Sequence, residues 1–101
     1  MDPLTSTPIE HKKLGIKAVL HDFSQEQYER YHQALFISDA KTMAAKNGAV
    51  VSAAIHAGIL TGLAVEQIPG MKPAAVIWLD GRVHEHVLKV ITPPKDDEEK
   101  N

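Results

Sequence analysis

The chain contains no cysteine, and neither sign of charge dominates it. Without Cys, disulfides, thiolate catalysis and Cys-based zinc sites are excluded among its 101 residues. The same absence is compatible with a reducing compartment, so we expect a cytoplasmic protein. The formal net charge of −2 argues against sequence-independent nucleic-acid binding, which normally needs an excess of Lys and Arg. Ordinary soluble globular proteins share this balance of charged and apolar residues.

Charged residues are also missing from a central run, NGAVVSAAIHAGILTGLAV, which spans 47–65. Such a run must be shielded by a core, a partner or a membrane. It barely reaches the roughly 20 residues that cross a bilayer, and it contains several polar side chains and glycines. A tightly packed helix in a protein without membrane contact explains it better. The spacing of Ala54, Gly58 and Gly62 lets two helices approach closely. We therefore expect a homo-oligomer in which a second copy covers these three residues.

The two ends differ in composition from the middle of the chain. Residues 1–13 mix Pro, Thr, Ser and charges without periodicity, which predicts a flexible arm. Residues 93–101 begin with two prolines and continue as a charged tail. The remaining residues, 14–92, have the length of one domain, and we expect that domain to be helical.

The first half of this domain predicts a strand followed by a helix. The segment at about 15–20 is apolar and contains β-branched residues, as is typical of a strand. A helix at about 25–37 follows, because Ser24 and Gln27 have the spacing of a capping box. Phe23 and Tyr28 are placed to act as a hydrophobic staple at the same helix end.

The second half predicts two or three further helices. One covers about 48–60 and ends near Gly62, and a short one at 40–46 is uncertain because Asn47-Gly48 is a turn or cap signal. The last covers about 73–91, with Pro73 in its first turn and an apolar stripe that includes Val76, Leu79 and Val83. The predicted fold class is mainly α, with one short N-terminal strand and three or four helices.

Histidine-based metal sites and catalytic motifs are not predicted. Glu29 and His32 have the Glu-x-x-His spacing of di-iron bundles, but those sites need a second such pair, which the sequence lacks. His84 and His86 point apart on a helix. No G-x-S-x-G motif or phosphate-binding glycine loop occurs. We expect no enzyme activity, no metal and no cofactor, while possible roles of His56, His84 and His86 stay open.

A helix-turn-helix DNA-binding regulator is the alternative from another functional class. Its first helix would run from Val50 to Ala57, and its recognition helix would occupy 61–68. That second segment contains no Lys or Arg to contact phosphates or guanine edges. We therefore favour a partner that is a protein, and expect neither nucleic-acid nor membrane binding.

Three segments together resemble small phage proteins encoded among tail and virion-assembly genes, including tail-assembly chaperones. They are AVLHDFSQEQYERYHQAL, GAVVSAAIHAGIL and PAAVIWLDGRV, followed by a closing Pro-Pro. The resemblance implies a mostly helical, non-enzymatic protein that holds a structural protein during assembly, without cofactor. Aromatic side chains are common interface anchors. On that basis Tyr28, Tyr31 and Trp78 on the predicted helices are the candidate partner contacts.

Overall fold

The structure, a computed structural model, describes residues 5–94 and combines a small antiparallel sheet with helices. Its elements in chain order are β1 (Ser6–His11), β2 (Ile16–His21), α1 (Gln25–Ile37), α2 (Met43–His56), β3 (Leu60–Thr61), a 3-10 helix (Val65–Gly70) and α3 (Pro73–Ile91). The predicted strand, the first helix and the last helix are present, with β2 displaced by one residue. The fold is mixed rather than mainly α, because two further strands join β2.

The N-terminal segment is the clearest correction to the prediction of a flexible arm over 1–13. Residues 6–11 form β1, which pairs with β2 in an antiparallel register that sets Ile9 opposite Ala18. Ile9 is the one buried residue of β1, and Pro8 lies beside it. An edge strand tolerates proline because one side of its backbone needs no ladder hydrogen bonds. Residues 1–4 and 95–101, which include most of the predicted charged tail, lie outside the described part.

Helix α1 begins as the sequence predicts. The Ser24 Oγ accepts a hydrogen bond from the Gln27 backbone N–H at 3.2 Å, and the Gln27 Oε1 accepts one from the Ser24 N–H at 3.0 Å. The Phe23 and Tyr28 rings stack with centroids 5.9 Å apart. This reciprocal cap satisfies two backbone donors that the first helical turn leaves without partners.

Helix α2 is one continuous helix and replaces both predicted segments, 40–46 and 48–60. It starts at a Thr42 cap, passes through Asn47 and Gly48, and ends four residues before the predicted end. Gly58 adopts φ +77°, and the Ile59 N–H donates to the Ala54 carbonyl at 2.9 Å. This is a Schellman termination, and it turns the chain into β3 at Leu60, which pairs with Leu20 of β2.

The uncharged run at 47–65 is largely covered by its own chain. Val51, Ala54, Ile59 and Leu60 are fully buried in a core that α2 shares with the inner face of the sheet and with α3. Ala54 therefore is not at an oligomer contact. The backbone of Gly62, at φ +95°, lies against β2, where an added Cβ would be 3.1 Å from the Ala18 Cα. These small residues serve packing within one copy.

The fold bears on two alternative interpretations of the sequence, a DNA-binding regulator and a membrane-spanning segment. Residues 61–68, the predicted recognition helix of a DNA-binding regulator, contain the end of β3 and the first part of a 3-10 helix. That alternative therefore lacks its recognition helix. Within residues 5–94, no helix has both the length and the apolar character needed to cross a membrane.

Candidate protein-interaction surface

Large apolar side chains are exposed where α1 ends and α2 begins. Phe36 is 89% exposed, and Ile37 and Met43 are nearly as open to solvent. They lie on either side of the connection 38–42, and we call them the α1–α2 corner. The corner exposes apolar surface to water. Burial of such surface stabilises a complex by about 25 cal/mol per Å². Contiguous exposed apolar patches are typical of binding surfaces.

A cleft adjoins this corner between the end of α1, the first half of α2 and the middle of α3. Its volume is about 400 Å³. Its lining is half apolar and half polar. The lining residues are Leu35, Ser38, Ala40, Met43, Lys46, Asn47, Ala49, Val50, Asp80 and His84. Met43 belongs to both the corner and the cleft, so the two form one continuous surface.

Asp80 and His84 form the α3 side of the cleft. They are one helical turn apart, and the His84 Nδ1 lies 2.6 Å from the Asp80 Oδ1. That contact is close, but it lacks the alignment of a hydrogen bond. Asp80 also acts on the core beneath the cleft. Burial raises the pKa of Tyr31 to about 12, and the negative charge of Asp80 adds to the shift. The opposite rim carries Lys46, which makes no ion pair within residues 5–94.

The three aromatic residues predicted as partner contacts do not share one surface. Tyr31 is only 3% exposed and belongs to the core, so it cannot contact a partner. Tyr28 is half-buried, with its ring edge-on to His32 at 4.5 Å. Trp78 is half-buried on α3, where the ring of His11 contacts it from β1 at 5.3 Å. Tyr31 lies in the protein's own core, and Tyr28 and Trp78 pack against that core.

Phe36 is not among the predicted contact residues, and it directly follows Leu35, which packs against the core. The sequence of α1 nevertheless indicates that Phe36 is exposed. Phe36 lies whole turns away from Gln25 and Glu29, which places it on the polar face of the helix. An aromatic side chain on the polar face of an amphipathic helix indicates a contact outside the domain's own core.

A second polar cluster crosses the outer face of the sheet. The His21 Nδ1 lies 2.7 Å from the Ser6 Oγ, and its Nε2 lies 2.7 Å from the Thr61 Oγ1. Each ring nitrogen therefore has a hydroxyl group as its hydrogen-bond partner. If the imidazole is neutral, one of these hydroxyl groups donates and the other accepts. The nearby Asp22 carboxylate instead accepts from the Thr5 hydroxyl at 2.9 Å. Among residues 5–94 no carboxylate orients the ring, so within that range the row ties three strands together without the base–orienter pair of a hydrolase.

Metal ligands do not cluster either: in the stretch from residue 5 to 94, no group of three or more His, Asp or Glu side chains could hold an ion. His56 is exposed at the end of α2. Comparison with known proteins found no matching family model, no matching curated protein and no matching solved structure.

Proposed function

We propose that this is a non-enzymatic interaction protein whose α1–α2 corner and adjoining cleft bind an apolar segment of another protein. The observation that carries the proposal is the 89% exposure of Phe36 beside a 400 Å³ cleft in which Leu35 and Val50 supply apolar lining. The segment inserts apolar side chains between Leu35 and Val50. An acidic side chain next to them pairs with Lys46.

The adaptable side chains of the surface support a chaperone-like role. Met43 is unbranched and polarizable, and such residues occur at surfaces that accept varied apolar sequences. Together with the resemblance to phage tail-assembly proteins, this favours an accessory protein that holds a structural protein in the cytoplasm until assembly. The partner class is thus an aggregation-prone chain with exposed apolar segments.

The test is the suppression of aggregation of reduced insulin B chain, followed by light scattering. We expect the wild-type protein to delay aggregation, and the double variant Phe36→Ser/Met43→Ser to lose most of that effect. Lys17→Ser, at an exposed position on the sheet, is the matched control and should behave like the wild type. Since these side chains are exposed, the variants should keep wild-type stability to within about 0.5 kcal/mol each.

Two outcomes would contradict the proposal. One is a wild-type protein without effect on the aggregating chain at molar excess. The other is a double variant as effective as the wild type, which would show that the corner is not the binding surface. A further variant, Lys46→Glu, should weaken binding to acidic apolar segments and leave binding to neutral ones unchanged.

A further inference from the structure

The α3 side of the cleft holds a carboxylate whose hydrogen-bonding capacity is largely unused. The Asp80 side chain is only 16% exposed, and its Oδ1 is buried and accepts no hydrogen bond from residues 5–94. A carboxylate has about four acceptor sites. A charged group that is taken out of water is costly unless it is paired and hydrogen-bonded. Asp80 therefore has acceptor capacity to offer to a molecule that enters the cleft.

His84 supplies only part of what Asp80 lacks. Its Nδ1 lies 2.6 Å from the Asp80 Oδ1 and 3.2 Å from the Asp80 backbone carbonyl oxygen. A ring nitrogen carries at most one proton, so a single N–H is divided between two acceptors. The His84 side chain is 64% exposed and can swing into water. The imidazole thus covers the carboxylate and leaves it available to a stronger donor.

The other charged or titratable groups near Asp80 do not neutralise it. Among residues 5–94, Asp80 forms no ion pair with a lysine or an arginine. Lys46 lines the same cleft from α2 without pairing with it. Arg82, two positions along α3, is paired with Glu85 at 3.2 Å. Burial, and then the Asp80 charge, raises the pKa of Tyr31 to about 12, so this phenol is neutral and supplies no positive charge.

Arginine is the side chain whose chemistry fits this part of the cleft. Its planar guanidinium can donate two parallel hydrogen bonds to a carboxylate, whereas lysine carries a compact and strongly hydrated charge. Its aliphatic stem can lie along apolar surface while the charged head reaches a polar group. Leu35 and Val50 supply apolar surface in the same cleft as Asp80. One arginine can therefore use both kinds of lining.

We propose that the cleft selects apolar segments that contain an arginine, and that Asp80 is the residue that selects them. This inference rests on the proposed function, because it names the chemistry of the segment that the cleft binds. When the arginine enters, its guanidinium displaces the His84 ring from Asp80. Lys46 on the opposite rim attracts an acidic side chain of the segment, so the two charges fix the direction in which the segment lies.

Fluorescence anisotropy with two labelled peptides tests the selection. One peptide consists of leucine and alanine around a single arginine. The other has citrulline in its place, which keeps the shape of arginine and removes its charge. We expect the wild-type protein to bind the arginine peptide roughly tenfold more tightly or better, as for a desolvated charge pair. In Asp80→Asn, which keeps the size of the side chain and removes its charge, this preference should disappear.

Three controls separate selection by Asp80 from general effects. Glu85→Gln removes the same charge from an exposed position of α3 outside the cleft and should keep the wild-type preference. His84→Ala should also keep it, since the imidazole leaves when arginine binds. Asp80→Asn should bind the citrulline peptide as the wild type does, which would show that its cleft is intact.

Equal affinity of the wild type for the two peptides would overturn the inference, and so would an undiminished preference in Asp80→Asn. The first comparison needs no variant, so misfolding of Asp80→Asn would not remove the test. Binding of the citrulline peptide would leave the proposed function in place in either case. If the wild type bound neither peptide, the inference would fail, and the aggregation assay with insulin B chain would show whether the proposed function fails with it.

Discussion

His86 on α3 is joined to the backbone of β2, 65 residues earlier in the chain: its Nε2 lies 2.8 Å from the carbonyl oxygen of His21. Because a carbonyl only accepts, Nε2 carries the proton in this contact. The ring is buried and lies edge-on to Phe23 at 6.0 Å. This histidine therefore couples the last helix to the central strand and is structural.

Replacement of His86 by leucine should destabilise the fold. The apolar side chain fills similar space but leaves the His21 carbonyl without a donor, which costs about 1–3 kcal/mol. Urea unfolding followed by circular dichroism measures the change. His56→Leu, at the exposed end of α2, should change stability by less than about 0.5 kcal/mol. Equal effects of the two substitutions would contradict the structural role of His86.

Alanine should have opposite effects at two glycines. Gly62→Ala forces a side chain into a left-handed backbone at φ +95° and within 3.1 Å of the Ala18 Cα, so we expect a loss of about 1–3 kcal/mol. Gly48 lies inside α2, where an added Cβ makes an ordinary 3.6 Å contact with Ile68. Gly48→Ala should stabilise by about 0.5–1 kcal/mol. Thermal unfolding of both variants checks the opposite signs, and a stabilised Gly62→Ala would refute the packing described.

Gln27 links two helix ends through its single side-chain amide. Its Oε1 accepts from the Ser24 N–H, and its Nε2 donates to the Ala57 carbonyl at 3.0 Å. Gln27→Glu keeps an acceptor for the Ser24 N–H. It loses the donor to the Ala57 carbonyl and brings a negative charge close to that carbonyl oxygen. We expect a loss of about 1–2 kcal/mol in urea unfolding. Glu29→Gln, on an exposed turn of the same helix, is the control, and a neutral Gln27→Glu would show that the link to Ala57 is unimportant.

Tyr31 should make the fold sensitive to alkaline pH. Burial, and then the charge of Asp80, raises its pKa to about 12, above the value of about 10 in the unfolded chain. A raised pKa favours the neutral phenol in the folded state. The contribution of Tyr31 to the free energy of unfolding is therefore complete below pH 10. Roughly 2–3 kcal/mol is lost as the pH rises towards 12. Urea unfolding from pH 9 to 12 measures this loss.

The matched variant for that experiment is Tyr31→Phe, which removes the titrating group and keeps the ring. Lysines also lose charge over this range, so the difference between the two proteins isolates Tyr31. We expect the variant to lose less stability between pH 10 and 12, and phenolate absorbance to show a late-ionising tyrosine only in the wild type. If the stability of the two proteins fell in parallel with pH, a raised pKa of Tyr31 would be ruled out.

Local signals were sufficient where an element is specified by neighbours in the sequence. The Ser24–Gln27 cap, the Pro73 start and the apolar stripe of α3 each act over one or two helical turns, and α1 and α3 have the predicted bounds. The single helix α2 was harder, since Asn47-Gly48 has the composition of a turn. In the structure α2 continues through that point, with Gly48 beside Ile68 of the 3-10 helix.

The interaction surface was less predictable than the fold. Tyr31 and Trp78 were chosen because aromatic residues are common at interfaces, yet they contact the chain's own core and β1. Phe36 and Met43 are ordinary helix residues by composition. The periodicity of α1 places Phe36 on the polar face of that helix. The exposure of Met43 depends on where α1 ends relative to α2 and α3, which no local pattern specifies.

The sequence by itself determined the starts of α1 and α3, the strand at β2, the need to shield 47–65 and the absence of cysteine chemistry. The tertiary structure decided that β1 and β3 exist and that the uncharged run is covered within one copy. The physical reason is the separation in sequence over which each interaction acts. Caps and periodicity act between residues a few positions apart, whereas strands such as Ser6–His11 are stabilised by hydrogen bonds to a partner strand and by burial of one side chain, Ile9.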